Sequence, residues 1–246
     1  MKTGKIGFSY SWIIVAASAC VIFVMYGTMI TFGIFFEPVL NEFGWTRAMT
    51  AGAFSLVIFV RGSLYAVTGR LTDKYGPRIV VTTCGFLLGA GYLLISQVTS
   101  LWHFYLLYTL VGIGMGSALI PQVSTIARWF ARRRGLALGI ASSGEGLGML
   151  VMVPVARWLL SIYDWRSAYI IVGAIALVLV STAAQFLRHN PSQMGLSPYG
   201  ETEIESPIPK ATGLSLRETI HTREFWLLAT VYFCFIFAWT PYLPTS

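Results

Sequence analysis

Two charged residues lie where few belong: Arg61 and Glu145 each sit inside a long apolar run. A charge at bilayer depth is costly unless it faces a partner or a wet cavity, so each needs a reason. Arg61 lies about 12 Å along a helix from Gly69. Tyr65 and Thr68 follow it at helical spacing and extend a polar stripe. A guanidinium placed there can grip a carboxylate through two parallel hydrogen bonds. The alternatives are a side chain that snorkels to the surface, or a structural ion pair. Glu145 lies about 15 Å into its own run, at similar depth. It can pair with Arg61, carry a proton, or bond a nearby hydroxyl such as that of Ser142.

Weaker polar candidates line the first and fourth runs: Tyr26, Thr28, Thr31, Ser117, Gln122, Ser124 and Thr125. Isolated Ser and Thr in such runs often bond their own helix backbone, which is the competing reading. No nucleophile–base pair and no phosphate-cradling glycine loop is present. His103, His189 and His221 have no ligand spacing, and Cys20, Cys84 and Cys234 each lie alone in an apolar run. The expectation is a protein without metal, cofactor or enzymatic activity.

The elements that position these residues follow from composition. The 246 residues are 56% hydrophobic and 11% charged, against about 25% charged in a soluble domain. That excludes a soluble globular enzyme. Apolar runs cover 12–36, 48–68, 79–98, 101–127, 135–160, 168–187 and 225–243, each near the length that spans a bilayer. The predicted fold is therefore an all-α membrane protein. Of the 17 Lys and Arg, thirteen fall in one set of connections; Arg47, Arg157 and Arg166 fall in the other. The bias predicts a multi-pass protein of the cell (inner) membrane with a cytoplasmic N-terminus. The net charge of +7 then reflects topology, so the bilayer is the expected partner and nucleic acid is not. A seven-span receptor is disfavoured because it needs the opposite orientation. Trp45, Trp102, Trp129 and Trp165 at the ends of runs read as interfacial anchors.

Between the second and third runs stands Gly69-Arg-Leu-Thr-Asp73-Lys74-Tyr-Gly76-Pro77-Arg78. It reads as a basic reversal: Gly76-Pro77 turns the chain, and Asp73 can cap a helix N-terminus. After the fourth run, Trp129-Phe-Ala-Arg132-Arg133-Arg134 leads into a glycine-rich fifth run. There Gly144 and Gly148 form a G-x-x-x-G surface for a closely packed helix. Gly112, Gly114 and Gly116 predict close packing or a bendable fourth run. The first motif resembles the loop signature of the major facilitator superfamily. The second stretch, with Glu42 to Ala48, Asp164 to Ala168 and Asn190 to Pro198, is similar to bacterial monocarboxylate porters and the oxalate/formate antiporter group.

The resemblance implies a six-helix N-terminal bundle over residues 1–187, built as a three-plus-three inverted repeat. A cytoplasmic linker with a short amphipathic helix would cover 188–224, its helix starting at a capping box from Ser215 to Glu218. A seventh span over 225–246 would begin a C-terminal bundle absent from this sequence. The implied function is secondary transport of a small organic anion by alternating access, as proton symport or anion exchange. In this reading Arg61, Tyr65, Tyr26, Thr31 and Gln122 bind the anion, and Glu145 is the coupling candidate. Gly69, Asp73, Lys74, Gly76 and Arg78 form the gating loop, and Gly112, Gly116, Gly144 and Gly148 pack helices. Two departures count against animal-type proton coupling: the first run opens Phe8-Ser-Tyr-Ser-Trp12, and Ile30 stands near the place of the coupling lysine. The alternatives are an inactive or structural fragment, and a superfamily transporter for a different small solute.

Overall fold

The computed structural model describes residues 3–200 and, beyond them, 221–223, 225–227, 230, 231 and 234, with side chains described from residue 10 onward. An apolar helix longer than about 20 residues crosses a bilayer with turns to spare. Among the described residues six helices are long and apolar enough to do so: Tyr10–Phe43, Arg47–Tyr75, Pro77–Ile95, Leu101–Trp129, Arg134–Ile162 and Trp165–Phe186. Several overrun the apolar runs because helical backbone satisfies its own polar groups wherever the side chains point.

The first and fourth spans are each broken near the middle. The first consists of α1 (Thr3–Ile30) and α2 (Phe32–Phe43), the fourth of α5 (Leu101–Met115) and α6 (Ile120–Trp129). Pro121 in the first turn of α6 marks the second break. The fourth span breaks after Met115, beside Gly114 and Gly116. The other spans are single helices: α3 (Arg47–Tyr75), α4 (Pro77–Ile95), α7 (Arg134–Ile162) and α8 (Trp165–Phe186).

The packing follows a three-plus-three inverted repeat. α1 packs chiefly on α7 and α5 packs on α3; α1 also meets α8, and α5 meets α4; α4 packs on α8. A two-fold relating spans 1–3 to spans 4–6 exchanges these pairs among themselves. Glycines set the closest approaches. A Cβ on Gly144 would strike the Ala19 carbonyl, and one on Gly148 the Phe23 carbonyl, so α1 and α7 meet backbone to backbone. On α5, a Cβ on Gly112 would lie 3.0 Å from Val60 Cβ. Thr68 on α3 donates to the Gly116 carbonyl at 2.9 Å and fastens α3 to the break in the fourth span.

Two readings need correction. The stretch 69–75 is not a loop but the last two turns of α3. Its charged side chains can leave the apolar phase while the backbone stays helical. The chain reverses only at Gly76, whose φ of 85° suits glycine, followed by Pro77 at the first position of α4. Asp73 therefore lies near a helix C-terminus and caps nothing. The tryptophans also divide. Trp102 is 82% exposed, whereas Trp129 and Trp165 are buried. Both buried indoles find partners: Trp129 Nε1 donates to the Arg188 carbonyl at 3.0 Å, and Trp165 Nε1 donates to Glu42 at 2.5 Å.

The chain divides into a unit ending at Glu201 and a second unit, Thr202–Ser246. Residues 188–200 hold a short 3-10 turn, Pro191–Met194, and return to the end of α6. Tyr199 N–H donates to the Trp129 carbonyl at 2.8 Å, and the Tyr199 carbonyl accepts from Ala131 and Arg132. In the second unit, Thr230 Oγ1 donates to the Trp226 carbonyl at 2.8 Å. The capping box from Ser215 to Glu218, its short helix and most of the seventh run lie outside the described residues.

Candidate functional site

Arg61 sits in the middle of α3, half-buried, and turns toward α1. Its Nη1 donates to the Met29 sulfur at 3.3 Å. Its guanidinium carbon lies 5.4 Å from the Tyr26 ring centre and 6.0 Å from that of Tyr65. These are cation–π distances, and they hold the charge without neutralising it. Nε is buried with no hydrogen-bond partner. A thioether is a weak acceptor, so this guanidinium keeps most of its donor capacity. An orphaned donor of this kind is costly unless something fills it. Tyr65 thus joins Arg61 at i+4, and Tyr26 joins them from α1.

Glu145 projects from α7, which packs on α1. It interacts electrostatically with Arg61 and Tyr26. Among the described residues it makes no ion pair within 4.0 Å: the pairs are Arg47–Glu37, Arg128–Asp73 and Arg166–Glu42. Neither a direct bond to Arg61 nor one to Ser142 forms. Thr31 bonds locally, donating to the Thr28 carbonyl at 2.7 Å, and Thr28 and Thr125 also bond their own helices. Gln122 donates to the Ser117 carbonyl at 3.2 Å across the break in the fourth span, and its Oε1 is buried without a donor. Arg61, Tyr26 and Tyr65 are brought together; Thr31 is committed to its backbone.

The reversal motif gathers a second cluster at one end of the bundle. Asp73 Oδ1 accepts from Arg128 Nη2 at 2.5 Å. Arg128 Nη1 lies 3.0 Å from Nδ1 and 3.1 Å from Nε2 of His189. Arg78 takes a different partner, the Gln185 side chain, through Nε at 2.8 Å and through Nη2. Lys74 lies over the Tyr75 ring at 5.1 Å. Gly69 lies against Ile120 at the start of α6. The opposite end is braced by Arg166. It donates to Glu42 at 2.6 Å and to the Ser96 and Val98 carbonyls at 2.6 and 3.1 Å, and it stacks 4.4 Å from the Trp165 ring.

A model of the Major Facilitator Superfamily matches residues 17–246. The chain belongs to the Major Facilitator Superfamily. Within it, the chain is 35% identical over 176 residues to "Monocarboxylate transporter 13" of Bos taurus, covering 71% of this chain and 41% of that protein. It is 28% identical over 232 residues to "Oxalate:formate antiporter" of Oxalobacter formigenes, covering 94% and 53%. Both relatives are transporters rather than enzymes. The chain spans about half their length. Among solved structures, the proton:xylose symporter XylE matches with a TM-score of 0.65 at 15% identity, over 75% of this chain and 46% of that one. A bacterial homologue of the lysosomal transporter Spinster, inward-facing and unoccupied, gives 0.64 at 18% identity over 89% and 49%. At those identities the likeness concerns the fold. The superfamily fold and six apolar spans make this a multi-pass membrane protein.

Sequence reasoning missed Arg128 and His189 at one end and the Glu42–Arg166 pair at the other. Arg128 is one of a run of basic residues, and their number explains topology without naming a partner. Glu42 and Arg166 stand in two separate stretches similar to the porters, with nothing local to join them.

Proposed function

We propose that this chain is the N-terminal half of a secondary transporter for a small organic anion. The observation that carries the proposal is Arg61. It is a membrane-embedded guanidinium with no carboxylate within ion-pair distance among the described residues, flanked by two tyrosine rings, with one donor buried and unfilled. A carboxylate satisfies that group better than any neutral solute, because charge-assisted bidentate bonds are the strongest on offer. The names of the relatives, a monocarboxylate transporter and an oxalate:formate antiporter, agree with that chemistry.

In this reading a second six-helix bundle completes the site, and the two bundles rock about it. The second and fifth spans, α3 and α7, are the least covered of the six and would meet that bundle. The Asp73 end is cytoplasmic in the cell membrane, as the distribution of Lys and Arg favours. Asp73, Arg128 and Arg78 hold that end together. Glu145 shares the electrostatic environment of Arg61 and is positioned to exchange a proton when the anion arrives or leaves. Gln122 offers its free Oε1 as a further polar contact.

The test is uptake of radiolabelled lactate, oxalate and formate by cells expressing the whole gene. The reading predicts saturable uptake of at least one acid, competed by other small carboxylates. Uptake of neutral solutes alone would overturn it. Replacing Glu145 by Gln should alter the pH profile of that uptake. An unaltered profile would leave Glu145 outside the coupling.

A further inference from the structure

His189 follows the last span directly and begins the segment that leads away from the bundle. It sits against three elements at once. Arg128 from the end of α6 places Nη1 3.0 and 3.1 Å from its two ring nitrogens. Asp73 from the end of α3 holds the other arm of the same guanidinium at 2.5 Å. A Cβ on Gly76, in the α3–α4 turn, would meet His189 Cβ at 3.7 Å. Arg78 at the start of α4 binds the Gln185 side chain, and Arg188 donates to the Gln185 carbonyl.

Nη1 stands almost equally far from both ring nitrogens, so the guanidinium lies over the ring face rather than along one nitrogen's in-plane lone pair. A neutral imidazole accepts that contact, whereas a protonated ring puts a second positive charge at 3 Å from the first. That repulsion works against the docked arrangement, and Asp73 offsets part of it. Directly beside it, Trp129 Nε1 donates to the Arg188 carbonyl at 3.0 Å.

We propose that His189 is an acid-sensitive latch. In its neutral form it fastens the segment after the sixth span to the ends of α3 and α6, and protonation releases it. Tyr199, bonded to Trp129, Ala131 and Arg132, is the second anchor, so the part between the two anchors loosens while the chain stays tethered. Burial first, and the Arg128 charge second, hold the imidazole below its ordinary range, with Asp73 acting in the opposite sense. The docked segment thus binds protons less readily than the released one. Docking is complete above the ordinary histidine range and weakens as the pH falls below it. On this account, acid on the Asp73 side frees the connection to whatever follows the bundle.

Hydrogen–deuterium exchange on the whole chain in lipid nanodiscs tests this. Exchange of the peptide covering 188–200 is measured at pH 7.5 and 5.5, corrected for intrinsic chemistry and referenced to α4. The wild type should exchange faster at the lower pH, by up to about tenfold per pH unit below the midpoint. His189→Gln, neutral at both, should change by less than about twofold. A flat wild-type response, or the same rise in the Gln variant, would overturn the proposal. Should the Gln variant already be loose at pH 7.5, NMR titration of the wild-type His189 ring decides. A midpoint matching that of the exchange supports the latch, and a mismatch overturns it.

Discussion

Arg78 and Arg166 are each the second residue of a helix, and each reaches the far end of the helix the other begins. Arg78 opens α4 and binds Gln185 near the end of α8; Arg166 opens α8 and binds the Ser96 and Val98 carbonyls beyond the end of α4. α4 and α8 are the third and sixth spans, which the inverted repeat exchanges. The two arginines are therefore equivalent positions at opposite ends of one antiparallel pair.

They are not equivalent in cost. Arg166 satisfies two carbonyls and Glu42, while Arg78 has one neutral acceptor on an exposed surface. Arg166→Ala should cost about 1–3 kcal/mol, since it leaves carbonyls and a carboxylate unfilled. Arg78→Ala should cost about 1 kcal/mol or less. Thermal melting of the purified protein in detergent measures both, and a larger loss at Arg78 would contradict the assignment.

The α1–α7 contact gives a sharper comparison on a single helix. Gly144→Ala and Gly148→Ala each push a methyl into a backbone carbonyl of α1, and backbone cannot swing aside as a side chain can. Each should destabilise by about 1–3 kcal/mol. Gly146, between them, has open space, so Gly146→Ala should be neutral or stabilising by up to about 1 kcal/mol. The same melting assay reads all three. Equal effects would mean that the stripe does not pack as described.

The Asp73–Arg128 pair is a surface bridge, and Asp73 is two-thirds exposed. Such pairs contribute at most about 1 kcal/mol. Asp73→Asn should therefore leave the melting temperature nearly unchanged. It should nevertheless move the His189 midpoint to lower pH, because the lost carboxylate favoured the charged ring. NMR titration of the ring shows the sign, and an upward shift would contradict the geometry.

Six spans were legible in the sequence because each is an apolar run near bilayer length, and composition alone carries that signal. The Arg61–Tyr65 pair was legible because helical spacing places i and i+4 on one face. Tyr26 needed the further knowledge that α1 lies beside α3. The helical course of 69–75 was hidden by its charges, which look like a loop until Arg128 is seen holding Asp73. The break at Thr31 has Gly27 and Gly33 around it, but no cluster like Gly112, Gly114 and Gly116 followed by Pro121 in the fourth span. Trp129 looked interfacial from its place at the end of a run. The returning segment 188–200, which buries it, is invisible to local pattern.

The central claim is that Arg61 receives the anion. Uptake of the preferred carboxylate by the whole protein, with Arg61→Ala and Arg61→Lys beside the wild type and surface levels matched, tests it most directly. Loss of a charge-assisted bidentate contact predicts a fall of about two orders of magnitude in the Ala variant. The Lys variant should be only partly rescued, since a point charge lacks the planar fork. Wild-type uptake by a correctly inserted Arg61→Ala protein would contradict the account.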